Sequence, residues 1–362
     1  DYWMKHRTGA CKFLNVLQGE NHADADDWYE QMKDYCDPAK YPDTHFNGWS
    51  MGGQNMCDVH LALKRIVALR FDGLLEEGVH DVMHFLGTSK LEWATLLTDI
   101  QRAVRKYHNK NFMITFDCAS PFLATANGQI YITTETENRK KWVYRMVPSI
   151  DELKYANDTR NFRDGVLADG IFKTFTDSPL TKSIKINDVC HYAVGDVNKV
   201  GGPKILKGEI DRDKHGAPIL DEEGNEQLRK RDSTSWDSFS YAIQMGHNVW
   251  SHINAVQEAN RQYDAGVIPK MLVQEQFDRV LFRDVMEEIF SADSKEASLA
   301  LIDKYSKFWM AIPGTRGAIG KKTVNSSTFF DALFDVEDPN VEADEEETLD
   351  ETKLQELNDE QL

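Results

Sequence analysis

Short apolar runs alternate with longer amphipathic stretches along the first third of the chain. Four strand-like runs lie at residues 13–19, 45–53, 81–87 and 111–120, and an amphipathic stretch of helical period follows each of the first three. Such strand–helix repeats predict parallel strands, because a parallel pair needs a long crossover connection. The pattern therefore predicts an α/β fold over residues 1–128, either doubly wound or part of a (β/α)8 barrel.

The remaining chain has a different pattern. Residues 129–232 are less regular and contain strand-like runs, the last of which resemble a β-hairpin with a Gly/Pro/Asp turn. Residues 233–335 have helical periodicity over most of their length. Residues 336–362 form an acidic segment of low hydrophobicity that is predicted to be disordered. We therefore expect four regions: a strand–helix unit, an irregular β insert, a helical region and an acidic tail.

Composition limits the kind of protein this is. The net charge is -18, but the acidic tail carries most of the excess, so the body of the protein is compatible with a local basic groove for nucleic acid. No apolar run approaches the length of a membrane span, and no signal peptide is visible. The five cysteines are scattered and form no CxxC pair, which is typical of a reducing compartment. We predict a cytoplasmic protein with no membrane partner.

The predicted strands end on polar residues or glycine. These ends are Gln18-Gly19, Gly52-Gly53, Gly87-Thr88 and Asp117. In parallel α/β folds the chemistry gathers at the carboxyl ends of the strands. Asp117 is followed at once by Cys-Ala-Ser-Pro, so its carboxylate is a candidate nucleophile, general base or metal ligand, with a turn or helix-cap role as the alternative.

Other candidate residues have weaker signals. The side-chain amide of Gln18 suits the edge of a nucleobase, and the Gly52-Gly53 pair lets a ligand approach the backbone. A polar strand end and an ordinary turn are the simpler interpretations of these residues taken alone. Asp58 fits the start of a helix. A nucleophilic Cys118 needs a histidine partner that the sequence does not identify, so a small buried side chain is the simpler interpretation.

Five segments, in order, resemble the tRNA-guanine transglycosylases. They are "FLNVLQGE", "GWSMGGQNMCD", "HFLGTS", "MITFDCASPFLATANG" and "MGHNVWSHINAVQEANRQYDAG". The resemblance covers residues 1–128 and the neighbourhood of 236–265. It implies the carboxyl-terminal half of a (β/α)8 TIM barrel, about four βα units, with an inserted irregular β region and a helical part after it.

The resemblance also implies a reaction. Asp117 matches the family's nucleophile, which attacks C1′ of a guanosine, expels guanine and forms a covalent glycosyl-enzyme that a 7-deazaguanine base then resolves. Gln18, the Gly52-Gly53 backbone and Asp58, at the place of a family glutamate, would hold the base, and Leu86 would pack on it. The target nucleotide must leave its stack to reach such a pocket.

The chain departs from the family at the zinc site. The family uses three cysteines and a histidine. His247 matches that histidine, but the corresponding loop offers only Cys190 and His191. One thiolate and two imidazoles make a poor structural zinc site, so we predict neither zinc nor another cofactor.

Two further departures concern partners. The strands that begin the family's barrel, including one that bears a second catalytic acid, have no counterpart here, so we expect a missing half or a partner chain to complete the site. Leu123 and Ala126 stand where the family has two arginines that read the anticodon. This favours the branch of the family found in phages and bacterial genomic islands, which inserts 7-deazaguanines such as preQ0 into DNA.

The basic loop near residue 316 offers candidate phosphate contacts in Arg316, Lys321 and Lys322. It lacks the spacing of a P-loop. Three hypotheses stay open on the sequence: a DNA-guanine transglycosylase, a tRNA-guanine transglycosylase with a divergent anticodon loop, and a non-catalytic nucleic-acid-binding subunit. A fourth, an unrelated TIM-barrel hydrolase, is disfavoured by the five segments in order. The presence of Asp117 favours the two enzymes, since a non-catalytic binding subunit needs no nucleophile.

Overall fold

The computed structural model describes residues 2–53, 58–137, 139, 142–190, 204–210, 213, 215–220, 224–226, 228–231, 238–274 and 279–312. The helices are α1 (Tyr2–Lys5), α2 (His22–Met32), α3 (Val59–Phe71), α4 (Leu91–Tyr107), α5 (Ser120–Ala126), α6 (Phe162–Ala168), α7 (Ile186–Val189), α8 (Ser238–Asp264), α9 (Phe282–Ser291), α10 (Lys295–Lys304) and α11 (Ser306–Met310). The strands are β1 (Asn15–Leu17), β2 (Gly48–Met51), β3 (Val82–Phe85), β4 (Met113–Phe116), β5 (Gln129–Glu135), β6 (Val143–Pro148), β7 (Lys204–Ile210), β8 (Leu228–Arg231), β9 (Val273–Gln274) and β10 (Val280–Leu281).

The first four strands form one parallel sheet in the order β1-β2-β3-β4. Helices α2, α3 and α4 connect them, so the predicted strand–helix repeat is confirmed. The fold is therefore mixed α/β with a four-stranded parallel sheet. Within the described residues this sheet is open: β1 and β4 are its two edges, and no closed barrel is present.

The two faces of the sheet differ because successive side chains of a strand point in opposite directions. Leu17, Met51 and Phe85 lie side by side on one face, fully buried, in the same hydrophobic core as α3 and α4. The other face carries polar residues, among them His84 and Thr115, which are paired neighbours on β3 and β4 and only partly buried. The sheet therefore has one apolar face that packs on helices and one face that carries polar residues.

Side chains occupy backbone groups on both edges of the sheet. The indole of Trp28 on α2 donates to the carbonyl oxygen of Val16 on β1 at 2.8 Å. On the opposite edge, the backbone N–H of Ile114 on β4 donates to the side chain of Gln101 on α4 at 2.7 Å. Such contacts reduce the tendency of an exposed edge strand to pair with another chain.

Polar caps fix the starts of two helices that follow strands. The side chain of Asn21 accepts a hydrogen bond from the backbone N–H of Asp24 at 3.0 Å and starts α2. Asp58 does the same for Leu61 at 3.1 Å and starts α3, and its side chain is buried. Each cap satisfies an N–H group that would have no partner within the helix.

The region after residue 128 begins with an antiparallel pair, β5 and β6, and the strand-like run predicted there is confirmed. Strands β7 and β8 also pair antiparallel, as the predicted hairpin requires. A second hydrophobic cluster forms beside β5 around three aromatic side chains, Phe162, Phe172 and Phe175.

Helices dominate the described residues from 238 to 312, as predicted, but β9 and β10 interrupt them with a short antiparallel pair. Periodicity did not reveal these strands because each has only two residues. Helices α8 and α9 pack against α4, which joins this region to the parallel sheet.

A buried acid joins α4 to α8. The hydroxyl of Tyr263 on α8 donates to Asp99 on α4, and Arg283 on α9 lies 4.3 Å from the centre of the Tyr263 ring. Burial raises the pKa of Asp99 from 3.8 to about 6. One turn further along α4, Arg102 holds Asp264 through two hydrogen bonds of 2.7 and 2.8 Å, and these lower the pKa of Asp264.

We expect Asp99→Asn to stabilise the protein at neutral pH. Between pH 4 and 6 the folded state keeps a proton on Asp99 that the unfolded state has lost, so this residue weakens folding as the pH rises. The raised pKa of Asp99 lowers the free energy of unfolding by at most about 3 kcal/mol at pH 7.5 and does not change it at pH 3. Asparagine keeps the acceptor oxygen for Tyr263.

Urea unfolding of both proteins across this pH range measures the difference. The matched control is Asp264→Asn, for which the sign reverses, because Asp264 has a lowered pKa and its charge stabilises the folded state above the normal pKa of aspartate. A wild-type advantage over Asp99→Asn that grows with pH would contradict the expectation.

Candidate active site

Four residues from the sequence analysis lie in one row at the carboxyl edge of the parallel sheet. Leu17, Met51, Phe85 and Phe116 occupy one register across the four strands. The next residue on each strand is Gln18, Gly52, Leu86 and Asp117, respectively. The backbone ladder continues one step into this row, since the Gly52 N–H donates to Leu17 at 2.8 Å and the Leu86 N–H to Met51 at 3.1 Å.

Asp117 presents its carboxylate at the end of β4. Its side chain is 64% exposed. The Oδ1 atom accepts one hydrogen bond from Nε2 of His84, at 3.2 Å, and another from the backbone N–H of Gly87, at 3.1 Å. Both of these hydrogen bonds are made by Oδ1, and neither uses Oδ2. A carboxylate held in this way can act as a nucleophile or a base.

His84 is a candidate site residue that the sequence analysis did not identify. It precedes Leu86 by two positions, so it shares a sheet face with the end of the strand, and alternation gives Thr115 and Asp117 the same relation on β4. The hydroxyl of Thr115 lies 2.8 Å from Nδ1 of His84. The only available signal was the histidine itself, placed two residues before a candidate strand end.

Gln18 packs directly against the paired glycines. A Cβ atom on Gly52 would lie 2.7 Å from Nε2 of Gln18, and one on Gly53 would lie 2.9 Å from its Oε1. Gly53 also has a φ of +54°, in the region that favours glycine. The glycines therefore allow the Gln18 amide to lie against the turn after β2. The predicted approach of a ligand to this backbone stays a prediction.

Asp58 has a different environment from the row. Its carboxylate caps α3 and is buried. This matches the helix-start interpretation, and the base-binding role that the family resemblance gives it stays a prediction. Residues 54–57, which join it to Gly53, lie outside the described part of the chain.

The thiol of Cys118, the residue after Asp117, contacts an imidazole. The Sγ atom of Cys118 lies 3.3 Å from Nε2 of His252 on α8, and the phenol of Tyr144 lies 3.4 Å from the same nitrogen, with its ring stacked on the imidazole. Burial raises the pKa of Cys118 and lowers the pKa of His252 to about 4. Both groups are therefore neutral near pH 7, and the pair anchors the strand end to α8 rather than supplying a thiolate.

His247 has structural partners in the described residues. Its Nε2 lies 2.8 Å from the carbonyl oxygen of Tyr131, Nδ1 lies 3.5 Å from the Thr181 hydroxyl, and the ring stacks on Phe175. The Cys190 thiol donates to the carbonyl oxygen of Glu152 at 3.2 Å.

These contacts bear on the candidate zinc ligands and the basic loop. No group of three or more His, Cys, Asp or Glu side chains able to hold a metal occurs among the described residues. His191, Arg316, Lys321, Lys322 and the acidic tail lie outside the described part of the chain, so the absence of zinc and the phosphate contacts stay predictions. In the part of the chain that the structure covers, no helix has the length and apolar character needed to cross a membrane.

Comparison with known proteins found no relative of this chain. No protein-family model, no curated protein and no solved structure matches the chain. The function must therefore be argued from the row of residues at the carboxyl edge of the sheet and from the contacts of Asp117.

Proposed function

We propose that this protein is a base-exchange glycosyltransferase that replaces guanine in a polynucleotide, preferentially DNA, by a 7-deazaguanine of the preQ0 kind. Asp117 is the nucleophile, and the reaction passes through a covalent aspartyl-glycosyl intermediate. The observation that carries the proposal is the single row of Gln18, Gly52, Leu86 and Asp117 across the carboxyl edge of four parallel strands.

The chemistry of the row supports a nucleoside substrate. The amide of Gln18 offers both a donor and an acceptor to the edge of a base, and Leu86 offers an apolar surface. At the other end of the row, the carboxylate of Asp117 is exposed and available to react with a sugar. A retaining exchange needs one carboxylate that attacks the anomeric carbon and is later displaced from the same face.

Helix α5 supports DNA over tRNA. It begins three residues after Asp117, and Leu123 and Ala126 both lie exposed on it. Neither side chain can form the bidentate hydrogen bonds with which arginine reads a base. Phe122 and Leu123 instead present 48% and 44% exposed apolar side chains beside the candidate site, and the ring of Phe122 can stack on an extruded base of either polymer.

The proposal includes a second contributor to the site. The row contains one carboxylate, and the described sheet has two open edges. We infer that further strands, from another part of the protein or from a partner chain, displace the side chains of Trp28 and Gln101 from the two edges, complete a (β/α)8 barrel around the polar face and supply the second acid. A half barrel leaves one side of the pocket unbuilt.

A base-release assay tests the proposed polymer. The full-length protein is incubated with duplex DNA or tRNA that carries labelled guanine, together with an excess of a 7-deazaguanine. We expect label to be released from DNA and not from tRNA. Release from tRNA alone would mean that the missing arginines do not decide the substrate, and release from neither polymer would favour a non-catalytic binding subunit.

A further inference from the structure

Asp117 is held by two donors on the same oxygen. His84 Nε2 and the Gly87 N–H both contact Oδ1, at 3.2 and 3.1 Å. Gly87 has a φ of +68°, a conformation that favours glycine, and its N–H points at Asp117 at the end of β4. A carboxylate with two donors on one oxygen keeps the other oxygen for attack.

We propose that His84 and the Gly87 N–H form an anion clamp that stabilises Asp117 as a free carboxylate, directs Oδ2 to the sugar and makes Asp117 a good leaving group in the second half of the exchange. This inference rests on the proposed function. It assigns a role to His84 that the sequence analysis did not consider.

The hydrogen-bond directions follow from the groups involved. A carboxylate only accepts, so Nε2 of His84 must carry a proton. In the neutral imidazole, Nδ1 is then the acceptor, and the Thr115 hydroxyl, 2.8 Å away, donates to it. Thr115 thus holds the tautomer and the ring orientation that aim Nε2 at Asp117. The imidazole is 23% exposed, so it is half-buried against the sheet.

The clamp acts differently on the two half-reactions. In the first, an Oδ2 lone pair forms the bond to C1′, the bond from C1′ to the guanine nitrogen breaks, and its electrons stay on guanine, which takes a proton from water. In the second, the nitrogen of the 7-deazaguanine forms the bond to C1′ and loses its proton to water. The electrons of the C1′–Oδ2 bond then return to Asp117, where the clamp stabilises the charge that reappears.

Loss of a donor should therefore favour the covalent state. Hydrogen bonds to a charged group stabilise it more than neutral ones do, so an ester that carries no charge gains relative to a carboxylate that has lost a donor. We expect the ratio of covalent to free enzyme to rise about tenfold. The second half-reaction, and with it overall exchange, should slow by up to about tenfold, because its transition state carries only part of the charge that returns to Asp117.

The test compares two substitutions of one residue. His84→Gln places an amide N–H near the position of Nε2, while His84→Asn places its amide near Nδ1, beside Thr115 and away from Asp117. Each full-length variant is mixed with DNA without free base and quenched in denaturant, and the covalent fraction is read on a gel. Exchange rates are then measured with a 7-deazaguanine. Thermal unfolding of each variant checks that the fold is intact.

We expect His84→Asn to accumulate adduct and to exchange slowly, with His84→Gln returning both values toward wild type. Thr115→Val, which removes the hydroxyl without changing the imidazole, should shift both in the same direction as His84→Asn but less. An unchanged or lower covalent fraction in both His84→Asn and Thr115→Val, with normal adduct in wild type, would overturn the role of the anion clamp and leave the proposed function standing. Absence of adduct in the wild type would overturn the proposed function itself.

Discussion

Asp117→Asn is expected to lower base exchange at least about a thousandfold and to remove the covalent adduct, because an amide oxygen cannot form the glycosyl ester. The substitution changes little else. Asparagine keeps an acceptor oxygen for His84 and Gly87, and the side chain is largely exposed, so the fold and the affinity for nucleic acid should persist. The exchange rate and the binding constant of the variant are measured separately.

The neighbouring thiol provides the control for this experiment. Cys118→Ser leaves the carboxylate in place and changes a side chain that is neutral and contacts His252. Exchange should continue in this variant. A Cys118→Ser variant that lost the adduct while Asp117→Asn retained it would move the nucleophile from the carboxylate to the thiol and contradict the assignment.

Gly48→Ala is expected to have the largest effect on stability. A Cβ atom at this position would lie 2.2 Å from the carbonyl oxygen of Val82 on the adjacent strand, and 3.0 Å from the Leu14 side chain. Since the first contact is with backbone, β2 and β3 must separate to accommodate it. We expect a loss of about 3 kcal/mol or more, seen as a fall in Tm of about 5 °C or more.

The same substitution at Gly246 is the matched control. There a Cβ atom would meet the Leu180 side chain at 2.5 Å, but that side chain is 47% exposed and free to move. Gly246 lies inside α8, where alanine is the better helix former by about 1 kcal/mol. Gly246→Ala should therefore be neutral or stabilising, and a Gly48→Ala variant of equal stability would show that β2 and β3 have room to shift.

The placement of the row could be predicted from sequence because it depends on two local periods. Alternating apolar and helical runs located four strands within a few residues of their observed bounds, and parallel strands bring their carboxyl ends to one edge. Gln18, Gly52 and Asp117 follow from that rule alone, with no knowledge of side-chain contacts. Leu86 was identified only through the family resemblance, since the rule ended its strand at Gly87-Thr88. Their chemical roles do not follow from it, and they remain proposals.

The contacts around Asp117 could not be predicted in the same way. His84 is 33 positions away in sequence and His252 is 134 positions from Cys118, so both contacts depend on how the strands and α8 pack. A histidine on a strand gives no sign of the partner it will meet. The sequence analysis accordingly found no histidine for Cys118, and the structure supplies one that leaves the thiol neutral.

The measurement that tests the central claim most directly is the site of covalent attachment. The full-length protein is mixed with DNA, quenched in denaturant and digested, and the peptide that spans residues 113–128 is sequenced by mass spectrometry. We expect a sugar remnant on Asp117, joined through the side-chain carboxylate. A remnant on Cys118 or on another residue, or no adduct with any polynucleotide that the protein binds, would contradict the account.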